Sequence, residues 1–290
     1  MENVQQIPDL TDQGPKTLPT SRLGQFLHEL REGGRKQANV VFALIFREIR
    51  TTSKEDNYGF LSLVGIVVEP AIGVFAVAAF WYVMRVQEIM GVHTLIFISV
   101  SMTAFSIIRR SFSSIPRSIK STIKFYAYPN IKPFDAVLAS FILEISLTIV
   151  GGLIVFVLSW WFVGLSMDFH HPLEAIGIMA LLMCSGFGLS LLLGTYGAIY
   201  SFVPKIFSRF TQVLFFTSAV IHPASQLPDL AQKWIACNPF AHAMELLRLY
   251  TLRIQPFPEA SVSFLAAFSA GCLFLGFAAY YANRHRIVER

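Results

Sequence analysis

AVLASFILEISLTIVGGLIVFVLSWWFVG, residues 136–164, contains a single ionisable side chain, Glu144. Wound as an α-helix at about 1.5 Å per residue, the stretch is about 43 Å long, more than the ~30 Å of a bilayer's hydrocarbon core. It reads as a membrane-crossing helix. Further apolar runs occupy 62–83, 92–108, 173–203 and 261–282, and a shorter one, 207–221, contains Arg209. With 54% hydrophobic and only 14% charged residues, the chain is too apolar for a soluble domain of its length. The expected fold is an all-α membrane protein with six transmembrane helices.

Lysine and arginine orient these spans, because positive charge beside a crossing stays on the cytoplasmic side. With both termini inside, nineteen of the 23 fall on the cytoplasmic face, leaving only Arg85, Lys233, Arg248 and Arg253 outside. The N-in, C-in arrangement follows. The sequence pI near 9.2 then reflects topology and calls for no nucleic-acid partner.

Residues 1–38 hold Pro8, Gly14, Pro15, Pro19, Gly33 and Gly34 among scattered charges. They read as a flexible cytoplasmic extension rather than a signal peptide, so the first span is expected to act as its own insertion signal. Within 39–57, Val41, Phe42, Ile45 and Ile49 recur at helical spacing, with Arg47, Glu48 and Arg50 off that stripe. This predicts an amphipathic helix on the inner leaflet. A transmembrane domain over 58–285 and a short tail, 286–290, complete the division.

Between spans two and three, Pro116 suits a first helical turn. Ile115, Ile119 and Ile123 then share one face, while Arg117, Lys120 and Lys124 share another, with Arg110 just upstream. The pattern fits a headgroup-facing helix and a docking site for a cytoplasmic partner equally well. Tyr128, Pro129, Asn130 and Pro133 close the segment. In span four, Gly186, Ser190, Gly194 and Ala198 form a small-residue seam suited to close helix packing.

Residues 222–260 are too polar to cross and too short for a domain. Asn238-Pro239 is a helix-start signal. Beyond it, Ala241, Met244, Leu247 and Leu252 oppose Glu245, Arg248 and Arg253 in an amphipathic pattern. Short re-entrant or periplasmic helices rimming an aqueous opening are expected here, with Trp234, Asn238, Pro239, Glu245 and Arg248 in a gate region.

No phosphate-cradling G-x-x-x-x-G-K-[ST] loop occurs, nor any hydrolase or zinc-protease motif. No ATPase site, catalytic residue, cofactor or metal is therefore expected on this chain. His170-His171 reads as a solvated turn, and Cys184, Cys237 and Cys272 as small packing residues. Glu69, before Pro70, and Glu144 are intramembrane carboxylates that raise a functional hypothesis by default. An ion-coupled carrier would need several such groups and an internal duplication, and structural roles remain open for both. Phe75, Phe80, Trp81 and Tyr82 in span one, with Phe210, Phe215 and Phe216 in span five, could wall a glycan path or meet lipid.

Four landmarks carry a resemblance: FREIRT (Phe46–Thr51), YGFLSLVGIVVEP (Tyr58–Pro70), YPNIKPFDAVLAS (Tyr128–Ser140) and NPFAHAMELLR (Asn238–Arg248). In order and spacing, residues 38–285 resemble the permease subunits of ABC-2-type polysaccharide exporters, in particular those for Gram-negative capsular polysaccharide. The resemblance implies a homodimer of six-helix subunits in the bacterial inner membrane, with a separate pair of ABC ATPase subunits carrying ATP and Mg. It implies docking of those subunits on the loop between spans two and three, at Arg117, Lys120 and Lys124, with Arg110 beside them. It also implies short helices near the outer mouth, a lipid-linked polysaccharide cargo, and a periplasmic adaptor and outer-membrane export protein as onward partners. O-antigen and teichoic-acid exporters share much of the pattern. Alternatives are a drug-exporting permease, an ion-coupled carrier and a membrane-embedded enzyme.

Overall fold

The computed structural model describes residues 22–55, 60–126, 131–164 and 170–288. In chain order the helices are α1 (Arg22–Glu55), α2 (Phe60–Val83), α3 (Thr94–Phe112), α4 (Ser118–Ser121), α5 (Pro133–Val163), α6 (Pro172–Ile199), α7 (Val203–Thr217), α8 (Asp229–Ile235), α9 (Pro239–Leu252) and α10 (Val262–Val288). Proline opens α5, α6 and α9 and sits in the first turn of α7. There its fixed φ suits the helix and its missing N–H would have no intrahelical partner anyway.

Among the described residues, four segments are long and apolar enough to cross a membrane: Thr94–Phe125, Pro133–Trp161, Pro172–Ile199 and Val262–Ile287. They coincide with expected spans two, three, four and six. The first expected span falls on α2, whose 24 residues are apolar apart from Ser62 and Glu69. Glu69 and Pro70 belong to α2, but their side chains lie outside the described residues. The fifth expected span is α7, only 15 residues, or about 22 Å against ~30 Å of hydrocarbon.

Two features go beyond what the sequence suggested. The extension expected to be flexible over 1–38 is helical from Arg22 onward, with residues 1–21 outside the described set. Leu, Arg, Glu, Gln and Lys dominate 22–38, and these favour helix strongly enough to carry Gly33 and Gly34 at about 1 kcal/mol each. Residues up to Val40 form one unit and Val41 onward another. The fold is also not purely helical: Glu88–Ile89 pairs antiparallel with Val92–His93. Met90 and Gly91 turn between them, both at positive φ, as a two-residue hairpin requires.

From Val41 onward, α3 is the central element. It packs on α2, α5, α6, α7 and α9, and its most apolar window is 78% buried, against 17% for that of α5. One core cluster joins α3 to α6, α7, α9 and α10 around Ile108, Phe112, Leu182, Met244 and Leu265. Another joins α2, α3 and α5 around Val74, Phe97 and Val155. A third gathers Ile115, Ile119, Tyr126, Val137, Leu191 and Ile287 where α3, α6 and α10 end and α5 begins.

The closest helix approach is α6 on α10. A methyl group added at Gly188 would overlap the Cys272 carbonyl, and one added at Gly276 would overlap the Gly188 carbonyl. Side chains cannot yield there, because the obstacle on each side is backbone. Gly188→Ala is expected to destabilise by about 1–3 kcal/mol through overpacking. Gly177→Ala, with open space around it, should change little. Thermal unfolding in mild detergent compares the two, and equal melting temperatures would contradict the packing argument.

Candidate functional site

Two polar clusters stand out against this apolar background, one at each end of α3. At the C-terminal end, the chain continues as a 3-10 turn (Ile115–Arg117), α4, and a second 3-10 turn (Ile123–Phe125). The single helix expected here is broken at Thr122 (φ −100°, ψ 0°), yet the predicted faces survive. Ile115 and Ile119 are buried, Ile123 is partly so, and Arg117, Lys120 and Lys124 are exposed.

The seam on α6 seats this segment. An added methyl at Gly194 would press on the Ile119 side chain (3.1 Å) and the Pro116 carbonyl (3.3 Å). Two turns earlier, Gly186 faces the Ser111 hydroxyl, and Ser190 Oγ reaches the Ser111 carbonyl at 3.4 Å. Small residues at four-residue spacing thus let the end of α3 and the turn after it lie against α6.

Helix α1 holds the other side. Arg47 Nη1 donates to Thr122 Oγ1 (3.1 Å), Nη2 donates to the Ser121 carbonyl (2.9 Å), and the guanidinium lies 4.4 Å from the centre of the Phe125 ring. The next residue, Glu48, accepts from Ser140 Oγ on α5 at 3.1 Å. Burial pushes the Glu48 carboxyl above the usual carboxylate range, opposed by the Ser140 hydrogen bond and reinforced by nearby Glu144. FREIRT is visible in the sequence, but its contacts some 75 residues away are not.

Arg110 departs from its expected docking role. Its side chain is 8% exposed and pairs with Glu144 on α5. A guanidinium at this depth is held by a carboxylate because an unpaired buried charge is far costlier. The same pair gives Glu144 a cation of its own chain as partner. Arg110 Nε and Nη2 are buried and have no acceptor among the described residues.

At the opposite end, Asn238 caps α9, its Oδ1 accepting from Phe240 N at 3.0 Å and its Nδ2 donating to Ser218 Oγ at 3.0 Å. Glu245 and Arg248 were expected on a solvent face, yet both side chains are 0% exposed. Arg248 donates to Glu245 Oε1 (3.0 Å), to Ser101 Oγ (2.8 Å), and to the carbonyls of Val220 (3.1 Å) and Ala219. Its guanidinium also lies 4.0 Å from the Phe97 ring centre. Glu245 Oε1 in turn accepts from Ala224 N at 2.9 Å. Ala219 has φ +53°, an uncommon conformation for a residue with a side chain, and Arg248 braces the turn there. Spacing of i, i+3 with apolar neighbours on every side could have signalled an internal pair. Of the gate residues, Trp234 is the exposed one, at 75%.

The candidate pathway aromatics divide. Phe75 and Trp81 pack into the α2–α3 core, and Phe215 packs edge-on to Phe105. Phe80 and Tyr82 on α2, and Phe210 and Phe216 on α7, are exposed. A cleft of about 510 Å³ lies between α3, α5, α6 and α9, lined by Gly152, Phe156, Met179 and Leu247 among others and by none of those aromatics.

The chain is similar in sequence to known proteins. The polysialic acid transport protein KpsM of Escherichia coli is 26% identical over 255 residues, covering 86% of this chain and 95% of that protein. The capsule polysaccharide export inner-membrane protein CtrC of Neisseria meningitidis is 25% identical over 216 residues, 73% and 78% of the two chains. BexB of Haemophilus influenzae, a capsule polysaccharide export inner-membrane protein, is 24% identical over 243 residues, 83% and 89%. Residues 39–252 match the model of the ABC-2 type transporter family. That match takes in α2 to α9 and both polar clusters, and with several helices apolar enough to cross a bilayer, the chain is a multi-pass membrane protein belonging to the ABC-2 type transporter family.

Proposed function

We propose that this chain is the permease subunit of an ATP-driven exporter that moves a lipid-linked capsular polysaccharide across the bacterial inner membrane. The observation that carries the reading is the cationic face of Arg117, Lys120 and Lys124. It is exposed on a short turn whose apolar side is anchored to α6 and whose far end is gripped by α1. An exposed, charged turn anchored on two sides suits reception of force from a soluble ATPase. The KpsM, CtrC and BexB names support the cargo class.

In this reading each subunit crosses six times with both termini in the cytoplasm, α7 making a short fifth crossing completed by the turn after it. Two copies form the path, with the exposed aromatics of α2 and α7 toward their junction. A separate pair of ABC subunits binds ATP and Mg, and a periplasmic adaptor and outer-membrane protein receive the polymer. The cluster around Arg248 holds the outer helix α9 in place.

Affinity purification of the tagged chain from mild detergent tests this. Recovery of a stoichiometric soluble ATPase, together with loss of surface capsule on deletion of the chain, is the expected result. O-antigen lost in place of capsule would redirect the cargo. Transport that persists without any ATPase would overturn the reading.

A further inference from the structure

Arg47 and Glu48 are neighbours on α1 with different allegiances. Arg47 grips the end of the turn that follows α4, through two hydrogen bonds and the Phe125 ring. Glu48 is bonded to Ser140 on α5. Adjacent helical positions point about 100° apart, so one turn of α1 reaches two elements at once. Ser140 sits one turn beyond Val137, which shares a buried cluster with Ile115 and Ile119.

We infer that this turn of α1 is a coupling strut: Arg47 is the positioning residue through which displacement of 117–125 is transmitted to α5. The inference rests on the reading of Arg117, Lys120 and Lys124 as the docking face. The physical ground is a difference between two kinds of contact. Ile115 and Ile119 meet α5 and α6 through non-directional apolar packing, which lets a turn slide. The Arg47 fork is directional, with a planar guanidinium making separate bonds to a hydroxyl and a carbonyl, and holds Ser121 and Thr122 in one register against α1. Since α5 is tied onward to α3 through Glu144 and Arg110, a push on the turn reaches two membrane-crossing segments through polar links.

The test uses the complete complex with its copurifying ATPase, comparing Arg47→Ala, Arg47→Lys and the milder Thr122→Val. A spin label at Ser121→Cys, an exposed position in the turn outside the docking face, in a background with the three native cysteines replaced, reads the mobility of the turn directly. With Arg47→Ala the label should become more mobile, ATP hydrolysis should stay within about twofold, and polymer exported per ATP should fall about tenfold. Arg47→Lys keeps the charge but loses the fork and should fall between. Should Arg47→Ala prevent insertion, Thr122→Val removes one acceptor only, and a smaller loss of export per ATP is expected of it. Unchanged label mobility, or a mobilised label with unchanged export per ATP, overturns the strut. Failure of the unsubstituted chain to recover any ATPase refutes the proposed function itself, and the strut with it.

Discussion

Arg248→Ala is expected to destabilise the protein by about 3–5 kcal/mol, the cost of leaving the partner of a buried ion pair unpaired. Arg248 is fully enclosed and serves four acceptors on three segments: Glu245 on its own helix, Ser101 on α3, and the Ala219 and Val220 carbonyls after α7. Removing it strands the buried Glu245 carboxylate and leaves the positive-φ turn at Ala219 without its brace. Arg248→Lys should recover only part of the loss, because one ammonium cannot reproduce the planar fork. Glu245→Gln combined with Arg248→Met should melt above Arg248→Ala alone, since the uncompensated charge is gone. Thermal unfolding in detergent, followed by size exclusion, measures all three. An Arg248→Ala protein that melts with its parent would mean the cluster is not the anchor of α9.

Joint reversal of Arg117, Lys120 and Lys124 to glutamate is expected to abolish ATPase copurification, by about 100-fold or more, while the protein still inserts. Opposed like charges at an interface cost several kcal/mol, and each 1.4 kcal/mol is about tenfold in affinity. All three side chains are exposed, so stability should move by no more than about 0.5 kcal/mol each. Topology should also hold, since sixteen of the nineteen lysines and arginines that the proposed N-in, C-in arrangement puts inside remain against four outside. Binding of the unsubstituted chain should weaken with added salt, as screening of exposed charge requires. Full copurification of the triple variant would move docking elsewhere on the chain.

Four long apolar helices and their order were legible in the sequence, because bilayer burial acts on composition residue by residue: a run such as 136–164 has no other low-energy home. Turn residues were legible for a similar reason. Pro133, Pro172 and Asn238-Pro239 mark helix starts through their own backbone chemistry, and α5, α6 and α9 begin there. The alternation of Ile115, Ile119 and Ile123 with Arg117, Lys120 and Lys124 likewise foretold which face is exposed, even though the helix itself is broken.

What periodicity could not convey is what lies opposite a helix. Glu245 and Arg248 form a polar stripe on a helical wheel, and only the packing of α3 and the turn after α7 around α9 makes that stripe internal. Arg110 looked like one cation among six in its loop until α5 brought Glu144 against it. The grip of Arg47 on Thr122 spans 75 residues, and the backbone overlap that demands glycine at 188 and 276 joins positions 88 apart. Local composition by itself determined that this protein enters a membrane and which segments carry positive charge. Tertiary structure alone decided which of its charges face solvent and which hold helices together, because pairing energy depends on distance in space, which a sequence interval does not encode.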